Sequence, residues 1–242
     1  MKHFKVLLLA LFVVVLAVPV QVSASAASTQ QETALDNIQA LYPYLTKEEL
    51  TTEIGLAAKA ANITVEEAAQ QIYNELQASL EEESATIFAT GEKGKGIYPL
   101  DGSAKGNIFY ETASTVGIPH GHVGIYYDFN TLIESLPSSG VRKISRSAKK
   151  VDPGSSILAV NGLSDTAKSQ AATWSNGRLG ETYSYNFINN RNTSCYGDKN
   201  CSKLVWCAFE KTSNIDLDVN GGFGVYPKDI RDSDLVTRLK AY

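Results

Sequence analysis

Groups able to act as nucleophile or base at neutral pH are scarce in this chain, whose 242 residues hold only three histidines and three cysteines. His3 lies in the N-terminal leader described below, which leaves His120 and His122 as the imidazoles of the exported form. The cysteines, Cys195, Cys201 and Cys207, cluster within thirteen residues. An odd count leaves at least one thiol outside any intramolecular bridge, which favours a working thiol over a disulfide framework. A Cys195–Cys207 bridge stays open, since nothing in the sequence fixes its geometry. The spacing matches neither paired C-x-x-C knuckles nor histidines at i, i+4, so a zinc site built from these cysteines with His120 or His122 is not expected. Gly91 to Gly96 lacks the Lys-Ser/Thr ending of a phosphate-binding loop. No cofactor and no metal are therefore expected. Positive charge is in deficit as well, with 22 Lys and Arg against 26 Asp and Glu, a net charge of −4. Loss of Lys2 and Lys5 with the leader takes this two charges further, to −6. An acidic protein has no long-range attraction for nucleic acid or anionic lipid, and no nucleic-acid partner is expected.

Long apolar runs are absent except at the start. Lys2 and Lys5 precede an uncharged stretch from Val6 to Val20, followed by Val22-Ser23-Ala24 and Ala24-Ser25-Ala26, small residues that suit signal peptidase. Residues 1–26 are expected to be a secretory signal, and the protein to be secreted, extracellular or associated with the cell wall. The alternative, an uncleaved anchor, wants about 20 apolar residues, more than this run has. No stable membrane insertion is expected after cleavage. The remaining ~215 residues suffice for one substantial domain and a small one.

Residues 27–90 read as a helical subdomain. Thr46-Lys47-Glu48-Glu49 and Thr64-Val65-Glu66-Glu67 are capping-box patterns that lead into Ala- and Leu-rich amphipathic segments. Helices are predicted near Gln31–Leu41, Lys47–Ala61 and Val65–Leu80. Such a region could cover the rest of the protein as a propeptide does, or dock on a cell wall; packing on its neighbour is the preferred reading. The charged, glycine-rich Gly91-Glu92-Lys93-Gly94-Lys95-Gly96 marks a boundary. Residues 97–242 then change character. Strands are predicted at Asn107–Tyr110, His122–Tyr127, Thr131–Leu136, Val141–Ile144 and Ser156–Val160, and helices at Asp165–Trp174, Cys201–Lys211 and after Pro227. The class is α+β. The extended stretch from Gly180 to Asn200, with Tyr183, Tyr185 and Phe187, is expected to line a pocket.

Cys201 follows the turn-forming Tyr196-Gly197-Asp198-Lys199-Asn200 and opens a helix-spaced run of Leu204, Val205, Trp206, Ala208 and Phe209. A thiol at a helix N-terminus meets unpaired N–H groups and the positive end of the helix dipole, which favour thiolate. Its base can be placed by register. If Asp128-Phe129-Asn130 is a three-residue turn with Asn130 left-handed, Tyr127 faces Thr131 and Gly124 faces Glu134. His122, Gly124 and Glu134 then share a face, with Glu134 diagonal to His122 beside the space the glycine leaves. A two-residue turn would send Glu134 through to the other face. Taken singly, each residue has a plainer reading: a buried small thiol, a satisfied strand histidine, an exposed strand carboxylate. Together, Cys201 as nucleophile, His122 as base and Glu134 as orienter make a cysteine-hydrolase row. The Cys201 N–H would stabilise an oxyanion, with Tyr183 or Tyr185 as second donor. His120, two residues before His122, competes for the base role and is otherwise a substrate-side candidate.

These blocks carry a family resemblance. Gly121-His122-Val123-Gly124-Ile125-Tyr126, then Leu132-Ile133-Glu134-Ser135 with Gly140-Val141, Tyr183 to Phe187, and Cys201-Ser202-Lys203-Leu204-Val205-Trp206 resemble the circularly permuted branch of the NlpC-type papain-like cysteine hydrolases. In that branch the histidine and acidic residue precede the cysteine, as here. The resemblance runs from about Leu100 to Leu235, closing on Val225-Tyr226-Pro227-Lys228-Asp229-Ile230, and omits the helical region. It implies a permuted papain-like fold, an antiparallel sheet packed on helices, with catalytic roles for Cys201, His122 and Glu134. The activity it implies is cleavage of an amide, such as a peptidoglycan peptide, or, with the same three residues, that of a lipid or acyl hydrolase or an acyltransferase; an inactive wall-binding scaffold is the third reading. Two positions depart from the family pattern: Asn107 stands where an acidic residue is usual, and Lys203 stands two residues after the cysteine.

Overall fold

The structure, a computed structural model, describes residues 24–90, 96–115 and 118–242. Most of the expected leader and the Gly91–Lys95 part of the connector lie outside the described residues. Three helices come first: α1 (Ala24–Leu41), α2 (Lys47–Ala61) and α3 (Val65–Thr90). Both capping boxes form. Thr46 Oγ1 accepts the Glu49 N–H at 3.2 Å while the Glu49 carboxylate accepts the Thr46 N–H at 2.7 Å. Thr64 and Glu67 repeat the exchange at 3.2 and 2.9 Å. Two helices are longer than their apolar periodicity indicates. α1 reaches back to Ala24, inside the segment expected to be cut off, and α3 continues past Leu80 to Thr90. The added turns of α3 carry Glu82, paired with Lys228 at 3.0 Å, and a fully buried Glu83 that accepts from Tyr110 Oη at 2.5 Å. Tertiary partners there extend a helix that local pattern would end.

The rest alternates short strands and helices: β1 (Tyr98–Pro99), β2 (Ile108–Glu111), β3 (Ser114–Thr115), β4 (Ile118–Pro119), β5 (His122–Asp128), β6 (Thr131–Leu136), β7 (Gly140–Ser145), β8 (Lys150–Val151) and β9 (Ser156–Val160). Then follow α4 (Asp165–Asn176), α5 (Cys201–Ser213), α6 (Pro227–Asp232) and β10 (Val236–Ala241). Six strands form one antiparallel sheet in the order β10-β9-β2-β5-β6-β7. The architecture is α+β, with α5 packed over β5 and β6 and α4 beside it. β10 lacks the apolar alternation of a half-buried strand, because it is an exposed edge pairing only with β9. One apolar cluster joins Ile38, Ile54 and Ile72 of the helical region to Ile108 and Ile125 of the sheet and Leu204 of α5. The helical region therefore shares its core with the sheet rather than burying one of its own. Among the described residues no helix is long and apolar enough to cross a membrane.

Cys195 and Cys207 are bridged and Cys201, midway between them, is the free thiol. The bridge ties the loop before α5 to the second turn of the helix. Both sulfurs sit in buried residues, and with each bound to the other neither serves as a thiolate ligand for zinc. Closing a loop of this size constrains the unfolded chain by roughly 2–4 kcal/mol. A Cys195→Ser, Cys207→Ser double variant is expected to unfold at lower denaturant by that amount, and reductant is expected to shift the parent chain but not the variant.

Candidate active site

Cys201 is the first residue of α5, and Asn200 caps the helix by accepting the Lys203 N–H at 2.9 Å. Asn200 is itself held: its Nδ2 donates to the Asn186 carbonyl at 3.0 Å. The thiol thus sits on a fixed helix start, among N–H groups that have no partner within the helix.

Across from it, the β5–β6 hairpin pairs Gly124 with Glu134, but by a different route from the three-residue turn. Asp128 pairs with Thr131, so the turn has two residues, Phe129 and Asn130, and Tyr127 is the extra residue of a bulge. The bulge restores the register that a two-residue turn would have shifted. Asn130 is not left-handed; the non-glycine residues with positive φ, among those described, are Asn62 and Asn214. The space beside Gly124 is not open either. A Cβ there would stand 2.4 Å from the Phe109 ring and 2.8 Å from the Ile133 carbonyl. The glycine admits Phe109, whose ring packs 5.7 Å from that of His122.

His122 and Glu134 meet at 2.9 Å between Nε2 and Oε2. Glu134 is wholly buried, and its oxygens also accept from Lys149 Nζ at 2.9 Å and from Arg142 Nε and Nη2 at 3.0 and 2.6 Å. Burial alone would raise this carboxyl, but the His122 hydrogen bond and charge and the Lys149 ammonium hold it well below the usual carboxylate range. Nε2 is taken by Glu134, and His122 and Cys201 line the same cavity, near enough for the sulfur to act on the ring. Burial works against the imidazolium; the negative charge and hydrogen bond of Cys201, with the Glu134 hydrogen bond, outweigh it and raise His122 to about 9. The structure therefore brings together Cys201, His122 and Glu134 in one buried row.

The remaining candidates divide. Tyr183 is close enough to Cys201 that the sulfur's negative charge, after burial, helps push the phenol far above its ordinary range, which leaves it a hydroxyl donor. Tyr185 is 41 % exposed, and its backbone carbonyl accepts from Tyr42 Oη at 2.6 Å. His120 lies outside β5 with Nδ1 2.6 Å from the Gly121 carbonyl, and burial lowers its pKa. All three line a cavity of about 380 Å³ whose floor includes Cys201 and His122. Asn107 is structural: buried, it donates to Ser103 Oγ at 2.8 Å. Lys203 is buried with its ammonium on the carbonyls of Asn190 and Thr193, the second at 2.9 Å, and burial lowers it to about 7.

Four contributors escape the motif reading. Arg142 stands opposite Glu134 on β7, so extending the register by one hairpin would have found it. Lys149 pairs with Glu111 at 2.5 Å as well as with Glu134, a bridge no local pattern reports. Tyr42 and Tyr44 enter the cavity from the connection between α1 and α2.

Fold and site together define an α+β protein with a buried Cys–His–Glu row at the floor of a largely apolar cavity. No family model and no solved structure matches the chain. It is 40 % identical over 210 residues to YycO of Bacillus subtilis (strain 168), described as an uncharacterized protein, an alignment covering 84 % of each chain. The chain belongs to the family of YycO.

Proposed function

We propose that the protein is a secreted cysteine hydrolase of the permuted papain-like type, which cleaves an amide bond through a thioester on Cys201. The observation that carries this is the buried His122 ring, held at Nε2 by Glu134 and lining the same cavity as the free thiol of Cys201. Cys201 Sγ attacks the carbonyl carbon, and the His122 imidazolium gives its proton to the departing amine. The neutral ring then takes a proton from water as it attacks the thioester and keeps it as the acid leaves, which restores the imidazolium and the Cys201 thiolate. The N–H of Cys201 and the Tyr183 hydroxyl are the donors proposed for the oxyanion. A cell-wall peptide is the first substrate reading. An acyl or lipid hydrolase using the same row is the second, and one feature favours it: no Lys or Arg among the described residues lines the cavity to meet a peptide carboxylate.

The test is alkylation with an iodoacetamide probe across pH, with peptide mapping, alongside kcat/KM on wall peptides and on acyl esters. Cys201 is expected to label faster than an unfolded thiol at neutral pH, and His122→Ala to remove the advantage. Because His122 is raised to about 9, its proton is present through neutral pH and is lost as pH rises through that value. Turnover is therefore expected to fall along an alkaline limb near pH 9. Labelling of Cys201 no faster than an unfolded thiol, unchanged in His122→Ala, would sink the proposal.

A further inference from the structure

The family resemblance stops short of the helical region, yet that region reaches the cavity. α3 faces it with Leu76, Ser79 and Leu80, and the α1–α2 connection puts Tyr42 and Tyr44 there. Tyr42 is buried, its hydroxyl donates to the Tyr185 carbonyl at 2.6 Å, and the charge of Cys201 is among the causes that raise its phenol. Tyr44 stacks on Tyr185 with ring centroids 5.9 Å apart and meets Tyr42 edge-on at 5.1 Å; Tyr183 meets Tyr185 edge-on at 5.1 Å. These rings form a continuous wall built half from the helical region and half from the stretch before α5.

The wall is held in place. Glu75 of α3 accepts the N–H groups of Phe223 and Gly224 at 3.0 and 3.1 Å. Glu83 binds Tyr110 and lies 3.3 Å from Arg231 Nη1, and Glu53 of α2 accepts from Asn189 Nδ2 at 3.0 Å. Anchors on both sides of Leu76 and Leu80 make the helical region a fixed wall of the cleft. Pockets walled by aromatic and aliphatic groups with few polar atoms take up apolar surface, and tyrosine faces offer nothing to a carboxylate.

We propose that Tyr42 and Tyr44 are specificity-determining residues, forming with Tyr185 a subsite beside Cys201 for an uncharged aromatic or aliphatic portion of the substrate. The subsite's service to a reaction rests on Cys201 as the attacking group; its existence as a binding surface does not.

Alkylation by three probes separates the two. Iodoacetamide, N-phenyl iodoacetamide and its 4-carboxyphenyl analogue are allowed to react with the full chain, and the rate constant at Cys201 is read by mass spectrometry. The phenyl-to-iodoacetamide ratio is expected to exceed that of the urea-unfolded chain by about two- to tenfold, the range of one aromatic contact. The carboxyphenyl probe is expected to gain none of this. Tyr44→Ala, at a half-buried loop position, is expected to return the ratio to the unfolded value, and Tyr44→Phe to keep it. A ratio unmoved by Tyr44→Ala, equal preference for the carboxyphenyl probe, or a cleft so closed that none of the probes reaches Cys201 in the folded chain while all label it in urea would overturn the subsite. Iodoacetamide labelling no faster than an unfolded thiol, with the ratio still Tyr44-dependent, would end the hydrolase reading while leaving the subsite standing.

Discussion

Cys201→Ala is expected to remove turnover by a factor on the order of a millionfold, and His122→Ala by nearly as much. The two groups act as one unit: without the ring the thiol has neither base nor imidazolium, and without the sulfur the ring has nothing to activate. The double variant is accordingly expected to be no worse than Cys201→Ala alone, a non-additivity that marks shared machinery. What remains in each case is the contribution of the helix N–H, the Tyr183 hydroxyl and substrate binding. Cys201→Ala removes one buried sulfur, whereas His122→Ala also takes a partner from the buried Glu134, so unfolding midpoints are read alongside turnover to separate lost chemistry from lost stability. Activity that survives Cys201→Ala within tenfold would place the chemistry elsewhere.

How far the site was legible depends on how local its causes are. Asn200 and Cys201 could be read as a helix start because turn-formers, a capping side chain and an apolar period meet within ten residues. The Gly124–Glu134 pairing is legible in the hairpin, although the three-residue turn that predicts it is not the turn the chain makes. Two departures offset each other: the turn is shorter by one residue, and the bulge at Tyr127 takes that residue up. Pattern carries no signal for such a bulge, since Tyr127 fits a strand equally well in or out of register. Lys149 was beyond reach, because its place beside Glu134 depends on where β8 and the turn before it fold back. Tyr42 and Tyr44 are farther still, about 160 residues before Cys201 and brought there only by α3 and its carboxylate anchors. Lys203 is answered by backbone carbonyls, which no side-chain motif reports.

Glu134 carries the second large effect, and it acts on stability and chemistry together. The carboxylate is wholly buried under His122, Lys149 and Arg142. Glu134→Ala strips a buried partner from these cations, and removing one side of such an arrangement costs roughly 3–5 kcal/mol. For a chain of this size that corresponds to a fall in Tm of about 6 to 20 °C. Glu134→Gln keeps the volume and a hydrogen bond to the ring, and Lys149 keeps Glu111, so its loss is expected to be smaller. Linkage separates charge from shape. A carboxyl held below its unfolded value of ~4.3 contributes stability above that pH and loses it as pH falls further. His122, raised to about 9, contributes fully below its unfolded value of ~6.5 and loses its contribution as pH rises through 9. Glu134→Gln is expected to flatten the acid limb of the stability curve. It is also expected to move the alkaline limb of turnover below pH 9, because a neutral amide oxygen accepts from the imidazolium more weakly than the carboxylate whose hydrogen bond helps raise His122. Turnover is expected to drop about a hundred- to ten-thousandfold, the penalty of an imidazole without its charged orienter. An alkaline limb that stays at pH 9 in Glu134→Gln would show that Cys201 alone sets the charge on the ring, and would reduce Glu134 to a structural anchor for β7 and Lys149.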